Sequence, residues 1–162
     1  MHVETIPCEP VARRLVEHVA MRSRVLVIGC GTGGLARLVA RRGANVTAVD
    51  ASPEAIAEAR SLTGSHLGIE YRVAEVDRLA PRGFDMVILH ELPAAMVLAR
   101  LAEALRPGAC ILVIGRHRSW WSRAAELQPL AEITRIARTL LPDCRVRRHL
   151  GGRYSVRWTK PR

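Results

Sequence analysis

The fold is decided by residues 25–35, which read VLVIGCGTGGL. Four branched apolar residues in a row, Val25 to Ile28, predict a short strand that is buried on both faces, as in a parallel sheet. A glycine-rich turn follows, and residues 34–42 then have the pattern of a helix that Gly43 closes. Glycines adopt backbone angles that other residues avoid, and they let a ligand approach the main chain closely. The stretch therefore predicts a strand–turn–helix unit with a ligand site at the turn.

The spacing of the glycines indicates what kind of ligand this is. Gly29, Gly31 and Gly34 satisfy the pattern GxGxxG, which is typical of dinucleotide-binding turns. Asp50 lies 21 positions after Gly29 and directly follows a second buried strand, Val46 to Val49. A carboxylate at that place can accept hydrogen bonds from both ribose hydroxyls of a nucleoside. The alternative is that Asp50 only begins the turn into the next helix, and its position and spacing favour the binding role.

The rest of the chain alternates between helices and strands. Further strands are predicted at Ile69 to Val73, Phe84 to Leu89 and Cys110 to Ile114, and helices over about 10–22, after Ser52, over 93–105 and near Leu130 to Leu140. At the end, residues 144–150 and 153–159 flank Gly151-Gly152, which predicts an antiparallel hairpin. We therefore expect one α/β domain over residues 1–162, with a doubly wound, mostly parallel, seven-stranded sheet and a C-terminal antiparallel hairpin.

The composition is that of a globular protein with a strong positive charge. Of the 162 residues, 49% are hydrophobic and 25% charged, which excludes a disordered chain. The formal net charge is +10, and Lys160 is the only lysine. Such a charge can attract nucleic acid or an acidic membrane surface, although arginines scattered over solvated faces are the simpler explanation. The basic residues become dense only near the C-terminus, at Arg145, Arg147, Arg148, Arg153, Arg157, Lys160 and Arg162.

Several other classes of protein are disfavoured. The four cysteines stand apart, with no CxxC pair, so neither a metal site nor a dithiol redox centre is predicted. No apolar stretch approaches the roughly 18 residues that a membrane-spanning helix needs. Residues 1–10 lack the apolar core of a signal peptide. We therefore expect a cytoplasmic protein without a membrane span.

Taken together, the motifs resemble class I S-adenosylmethionine-dependent methyltransferases. The sequence Gly29-Cys-Gly-Thr-Gly33 is more typical of that family than of nicotinamide enzymes. Four further segments match it in the right order: AEV at 74–76, GFDMVI at 83–88, LRPG at 105–108 and ILVIG at 111–115. The resemblance covers nearly the whole chain. It implies S-adenosylmethionine as the cofactor and methyl transfer as the reaction.

The resemblance also implies a set of cofactor-binding residues. These are Gly29, Cys30, Gly31, Gly33, Asp50, Ala51, Glu75, Val76 and Leu89. The glycine turn is implied to hold the amino-acid end of the cofactor. Asp50 is implied to bind the ribose, and Glu75 with the backbone of Val76 to frame the adenine.

His90 is the candidate for acid–base catalysis. It follows the fourth strand, at the end where ligands bind in doubly wound sheets, and imidazole titrates near pH ~6.5. The alternative is a histidine that merely begins a helix; Glu91 has the same placement and a weaker case. Asp85, at the start of the strand, is predicted to be structural. Trp120 and Trp121 are predicted either to stack on a flat substrate or, preferably, to cover an edge of the core.

Two departures from the family keep the function open. The fourth strand runs almost directly into His90–Pro93, and only a short link joins Gly115 to the helix near Leu130. Our main interpretation is a methyltransferase acting on a small or medium-sized metabolite. The charge suggests RNA as an alternative acceptor, although the Asn/Asp-Pro-Pro-Tyr signature is missing. The shortened loops suggest a non-catalytic, cofactor-binding partner protein. A nicotinamide oxidoreductase is disfavoured by the 105–108 turn and the hairpin, and the oligomeric state stays open.

Overall fold

The computed structural model describes residues 9–117 and 127–162; Trp120 and Trp121 therefore lie outside the described residues. The helices are α1 (Glu9–Val16), α2 (Gly34–Ala40), α3 (Pro53–Ser61), α4 (Ala95–Ala104) and α5 (Leu130–Leu140). The strands are β1 (Arg24–Ile28), β2 (Asn45–Asp50), β3 (Glu70–Val73), β4 (Met86–His90), β5 (Cys110–Arg116), β6 (Arg145–His149) and β7 (Arg153–Thr159). Single 3₁₀ turns lie at Ser65–Leu67 and Val76–Arg78.

Within the described residues, seven strands form one sheet in the order β3-β2-β1-β4-β5-β7-β6. The first five strands in chain order are parallel, and β7 pairs antiparallel with both β5 and β6. Ile28 lies between Val49 of β2 and Leu89 of β4. The chain order reverses between β1 and β4, and a crevice forms at such a switch point outside the carboxyl ends of the strands. The predicted fold class is confirmed.

The continuous apolar run of β1 reflects helices on both faces of the sheet. Val25 and Val27 belong to a core that includes residues of α1, α2 and α3. Leu26 and Ile28 belong to a second core with residues of α4 and α5. Successive side chains of a strand point to opposite faces. A strand that is buried on both faces is therefore apolar at every position.

The terminal hairpin forms part of the second core. Tyr154, Val156 and Trp158 are buried there together with residues of α4 and α5. The indole Nε1 of Trp158 donates a hydrogen bond of 2.9 Å to the carbonyl of Pro142, just after α5. The hairpin predicted around Gly151-Gly152 is therefore confirmed, with its apolar face against helices.

The predicted extent of the first helix was wrong. α1 ends at Val16, whereas the apolar spacing predicted a helix to about residue 22. Val19 is still buried, but a turn places it there, with its amide bonded to the carbonyl of Val16. Arg22 then adopts a left-handed conformation, φ 61°, and its amide donates to the carbonyl of Gly43. Among the described residues, no helix is long and apolar enough to cross a membrane.

Candidate functional site

A cavity of about 300 Å³ opens at the carboxyl edge of the sheet, where β1, β2 and β4 end. It brings together seven of the predicted site residues: Gly29, Asp50, Ala51, Glu75, Val76, Leu89 and His90. Ile28, Ala74 and the segment Glu91–Pro93 complete its wall. We call it the switch-point cavity, because the chain order of the sheet reverses beside it.

The carboxylate of Asp50 is held by two backbone amides. Its Oδ2 accepts a hydrogen bond of 2.8 Å from the amide of Gly31, and its Oδ1 accepts one of 3.0 Å from the amide of Ser52. A carboxylate has about four lone-pair sites, so both oxygens retain acceptor capacity. The side chain is therefore oriented before any ligand arrives, which lowers the entropy cost of binding.

The glycine turn serves two different purposes. Gly29 has φ +70° and lines the switch-point cavity. Gly33 has φ +86°, and a Cβ there would lie 2.4 Å from the hydroxyl oxygen of Tyr71. That hydroxyl lies 2.9 Å from Thr63 Oγ1, and Tyr71 is buried. Gly33 thus makes room for a packed side chain of the protein, whereas Gly29 brings the backbone to the cavity.

Three predicted cofactor residues, Cys30, Gly31 and Gly33, are not among the described residues of that wall. Cys30 is buried, and burial together with the negative charge of Asp50 raises its thiol pKa to about 12. It is therefore a neutral thiol at physiological pH. Within residues 9–117 and 127–162, no group of three His, Cys, Asp or Glu side chains is placed to hold a metal ion. The role of the three residues in cofactor binding stays a prediction.

A second cavity of about 360 Å³ adjoins the first along the same edge. The two share Ala51, Ala74 and Glu75, and the second extends past the end of β3 to Arg78 and Leu79. Together they form an elongated site that runs from the end of β4 to the end of β3. This shape suits a long ligand better than a compact one.

The segment after β4 has an unusual backbone. Glu91 adopts φ +77°, which is uncommon for a residue with a side chain and is found preferentially at functional sites. Its carboxylate accepts hydrogen bonds from the amide of Arg116, at 3.1 Å to each oxygen. Gly115 has no side chain in the way: a Cβ there would lie 2.5 Å from Glu91 Oε2. These contacts anchor the wall of the cavity beside His90.

The hairpin supports the same wall. The hydroxyl of Tyr154 accepts a hydrogen bond of 2.9 Å from the amide of Leu92. Burial and the nearby charge of Glu91 raise the pKa of Tyr154 well above its usual value, so the phenol stays neutral. Sequence reasoning missed this contact, because 62 positions separate the two residues and no local pattern relates them.

The comparison with known families is decisive. A model of the methyltransferase domain matches residues 25–108, more than half of the chain. The chain belongs to the methyltransferase domain family. The resemblance inferred from the motifs is thereby confirmed, and the matched segment includes every residue predicted for the site.

Two curated relatives of this methyltransferase-family chain carry the same name. A ubiquinone biosynthesis O-methyltransferase of Bradyrhizobium diazoefficiens is 39% identical over an alignment of 108 residues, and the match covers 62% of this chain and 43% of the relative. One of Xanthomonas campestris pv. campestris is 37% identical over an alignment of 119 residues, and the match covers 64% of this chain and 49% of the relative. The chain thus spans less than half the length of these relatives.

Solved structures confirm the fold. The N-methyltransferase NodS of Bradyrhizobium japonicum aligns with a TM-score of 0.76 at 16% identity, over 99% of this chain and 100% of its own. Human N-acetylserotonin methyltransferase, solved in complex with SAM, aligns with a TM-score of 0.72 at 15% identity, over 94% of this chain and 52% of its own. At such identities the likeness concerns architecture alone.

Proposed function

We propose that this chain binds S-adenosylmethionine and transfers its methyl group to a small or medium-sized metabolite. The observation that carries the proposal is Asp50, whose carboxylate two backbone amides orient at the wall of the switch-point cavity. Family membership supports methyl transfer. The name of the curated relatives supports a hydroxyl oxygen as the acceptor.

The residues present fit an elongated nucleoside cofactor. Asp50 would accept hydrogen bonds from the ribose hydroxyls, and Glu75 with the backbone of Val76 would frame the adenine. Gly29 would bring the main chain close to the ligand. The small side chain of Ala51 and the apolar side chain of Leu89 form part of the cavity wall. The adjoining cavity beyond Glu75 leaves space for the base. When bound, the cofactor supplies a methyl group that its sulfonium already activates.

His90 would act as the general base. It is the last residue of β4 and lines the switch-point cavity, so a ring nitrogen can take the proton from an acceptor hydroxyl. Glu91 is less suited to that task, because its carboxylate already accepts from the amide of Arg116. We assign Glu91 a positioning role: it fixes the backbone that presents His90 and Leu92.

The test has two stages. Calorimetric titration of the full chain should show binding of S-adenosylmethionine and of its demethylated product, and none of NAD. Incubation of the chain and methyl-labelled cofactor with cell extract should then place label in small molecules. Binding of NAD instead would contradict the cofactor assignment. Label confined to RNA would favour the RNA alternative, and tight cofactor binding without any labelled product would favour a non-catalytic partner protein.

A further inference from the structure

A larger cavity of about 1020 Å³ lies between α1 and the terminal hairpin. Its basic side chains are Arg14 from α1, His18 from the turn after α1, and Arg147, Arg148, His149 and Arg153 from the hairpin. We call this cavity the basic groove. Among the described residues of its wall, Glu17 is the one carboxylate. The methyl-transfer mechanism proposed above makes no use of these side chains.

The groove opens at the same edge of the sheet as the switch-point cavity. β5 and β6 are both antiparallel to β7 and therefore run in the same direction. His149 ends β6, Arg153 begins β7, and Arg153 pairs with Arg116 at the end of β5. At a strand spacing of about 4.8 Å, β6 lies three strands, or roughly 14 Å, from β4 and His90. A molecule of medium size can span that distance.

The arginines of the groove come from two elements that are distant in sequence: Arg14 lies in α1, and Arg147 and Arg148 lie in β6. Burial lowers the pKa of His149, and the positive charges of Arg147 and then of Arg14 lower it further. Within the described part of the chain, no carboxylate forms an ion pair with Arg14, Arg147 or Arg148. Like charges gathered around a concave surface repel one another, and an anion placed among them removes that repulsion.

Protection of a sheet edge does not account for this arrangement. β6 is the outermost strand, and charged side chains on an edge strand prevent pairing with another chain. That explanation covers Arg147 and Arg148, but it gives no reason for Arg14 of α1 and His18 of the following turn to line the same groove. The wall also contains Val11, Leu15 and Leu150, and Leu150 is 95% exposed. Positive charge beside apolar surface suits an amphipathic anion.

We propose that the basic groove binds the anionic group of the methyl acceptor, a phosphate or a carboxylate, while the hydroxyl of that acceptor reaches His90. The proposal rests on the proposed function, since it names the class of acceptor. The acceptor is then an amphipathic molecule whose acidic group and methylated oxygen lie roughly 14 Å apart, the separation of β6 and β4.

The first experiment measures anion binding without turnover. Calorimetry on the full chain compares 1-naphthyl phosphate, 1-naphthoate and uncharged 1-naphthol at constant ionic strength. Arg147→Gln/Arg148→Gln is the groove variant. Arg41→Gln/Arg138→Gln is its control, because both arginines are exposed, neither lines the groove, and the net charge changes equally. We expect the groove variant to weaken binding of at least one anion about tenfold, the loss of one charge-assisted contact.

The outcomes separate this proposal from the proposed function. S-adenosylmethionine binding is titrated on the same samples and should be equal in both double variants. If the cofactor binds and neither anion does, or if both variants lose anion affinity equally, the groove proposal is overturned. If an anion binds through the groove and the cofactor does not bind, the proposed function fails instead. Groove-dependent binding of a short single-stranded RNA, with neither naphthyl anion bound, would overturn the small acceptor in favour of nucleic acid.

A kinetic readout completes the test once labelled product identifies an acceptor. The groove variant should raise KM for that acceptor about tenfold and leave kcat unchanged, since Arg147 and Arg148 are far from the transferred methyl group. The control variant should match the wild type. A fall in kcat without a change in KM, or an acceptor with no acidic group, would contradict the proposal.

Discussion

The two edges of the sheet carry the same kind of anchored aspartate, and of the two, Asp50 is among the described residues that line the switch-point cavity. At the carboxyl edge, Asp50 accepts from the amides of Gly31 and Ser52. At the amino edge, Asp85 accepts from the amide of Arg24 at 2.8 Å and from the guanidinium of Arg106. Asp85 is not among the described residues that line the switch-point cavity or the cavity beside it.

The difference lies in what surrounds each carboxylate. Asp85 ties the start of β1 to the turn before β5, and its neighbours on both sides are protein groups. Asp50 ends β2, beside the point between β1 and β4 where the chain order reverses, and it lines the cavity there. The hydrogen bonds of an aspartate therefore do not distinguish a ligand-binding role from a structural one. Its position relative to the switch point does.

The largest effect should come from His90 at the carboxyl edge. His90→Ala should lower the methyl-transfer rate by about 10²–10⁴-fold, because the acceptor hydroxyl loses its base. Cofactor affinity should stay unchanged, since the proposed ribose and adenine contacts come from other residues. Rates with an identified acceptor between pH 6 and 8, and calorimetry with the cofactor, measure the two quantities. His66→Ala, in an exposed turn, is the control; an equal rate for both variants would remove His90 from the mechanism.

Alanine substitutions at two glycines, one at each edge, compare how closely the surrounding atoms pack there. Gly33 and Gly108 have similar φ values, +86° and +81°, but a Cβ at Gly108 has open space. Gly108→Ala should cost about 1 kcal/mol of unfolding free energy, the left-handed penalty alone. Gly33→Ala adds the clash with Tyr71 and should cost about 2–4 kcal/mol. Urea unfolding at neutral pH measures both, and equal losses would show that the Tyr71 side chain moves aside at no cost.

The two aspartates should separate binding from stability. Asp50→Ala should weaken S-adenosylmethionine binding by about 1–3 kcal/mol, the scale of hydrogen bonds to a charged group. Asp85→Ala should leave that affinity unchanged and lower the unfolding free energy by about 1 kcal/mol, because its carboxylate is partly exposed. Calorimetry and urea unfolding on both variants give the four values. A loss of cofactor affinity in Asp85→Ala would break the distinction between the edges.

The smallest expected effect is on the unfolding free energy at low pH. The backbone amide of Arg24, and then the guanidinium of Arg106, lower the pKa of Asp85 below its usual value. The unfolded chain therefore takes up this proton first as pH falls, and the stability that Asp85 contributes above about pH 4 is lost as pH passes through its folded pKa. Asp85→Asn should thus lose less stability than the wild type between pH 7 and pH 3, by under about 1 kcal/mol. Equal losses in urea unfolding would contradict it.

Much of the fold follows from local patterns. The run Val25–Ile28 predicted β1 to within one residue, and Gly151-Gly152 located the hairpin. The end of α1 was wrong because Val19 is buried by a turn, and burial alone does not distinguish a turn from another helical step. Apolar spacing reports which side chains are inside, not the backbone that brings them there.

The site was predictable where motifs follow strands and unpredictable where distant segments meet. Gly29, Asp50, Glu75 and His90 each follow or end a strand, so parallel pairing brought them to one cavity. The hydrogen bond from the amide of Leu92 to Tyr154 depends on how the hairpin packs. The basic groove depends on the same packing, because Arg14 and Arg147 line it from different elements. Such contacts depend on how segments that are far apart in the sequence pack together. No regular spacing of residues in the sequence predicts them.

The insertion of β7 between β5 and β6 has a consequence for how the chain assembles. β6 precedes β7 in the chain but can join the sheet only through it. A chain made from its N-terminus therefore has an unpaired edge on β5 until residues 153–159 have been synthesised. The hydroxyl of Tyr154, which accepts from Leu92 beside His90, arrives with the same strand. Until that strand has been synthesised, the segment after β4 that lines the switch-point cavity lacks the hydrogen bond from Leu92 to Tyr154.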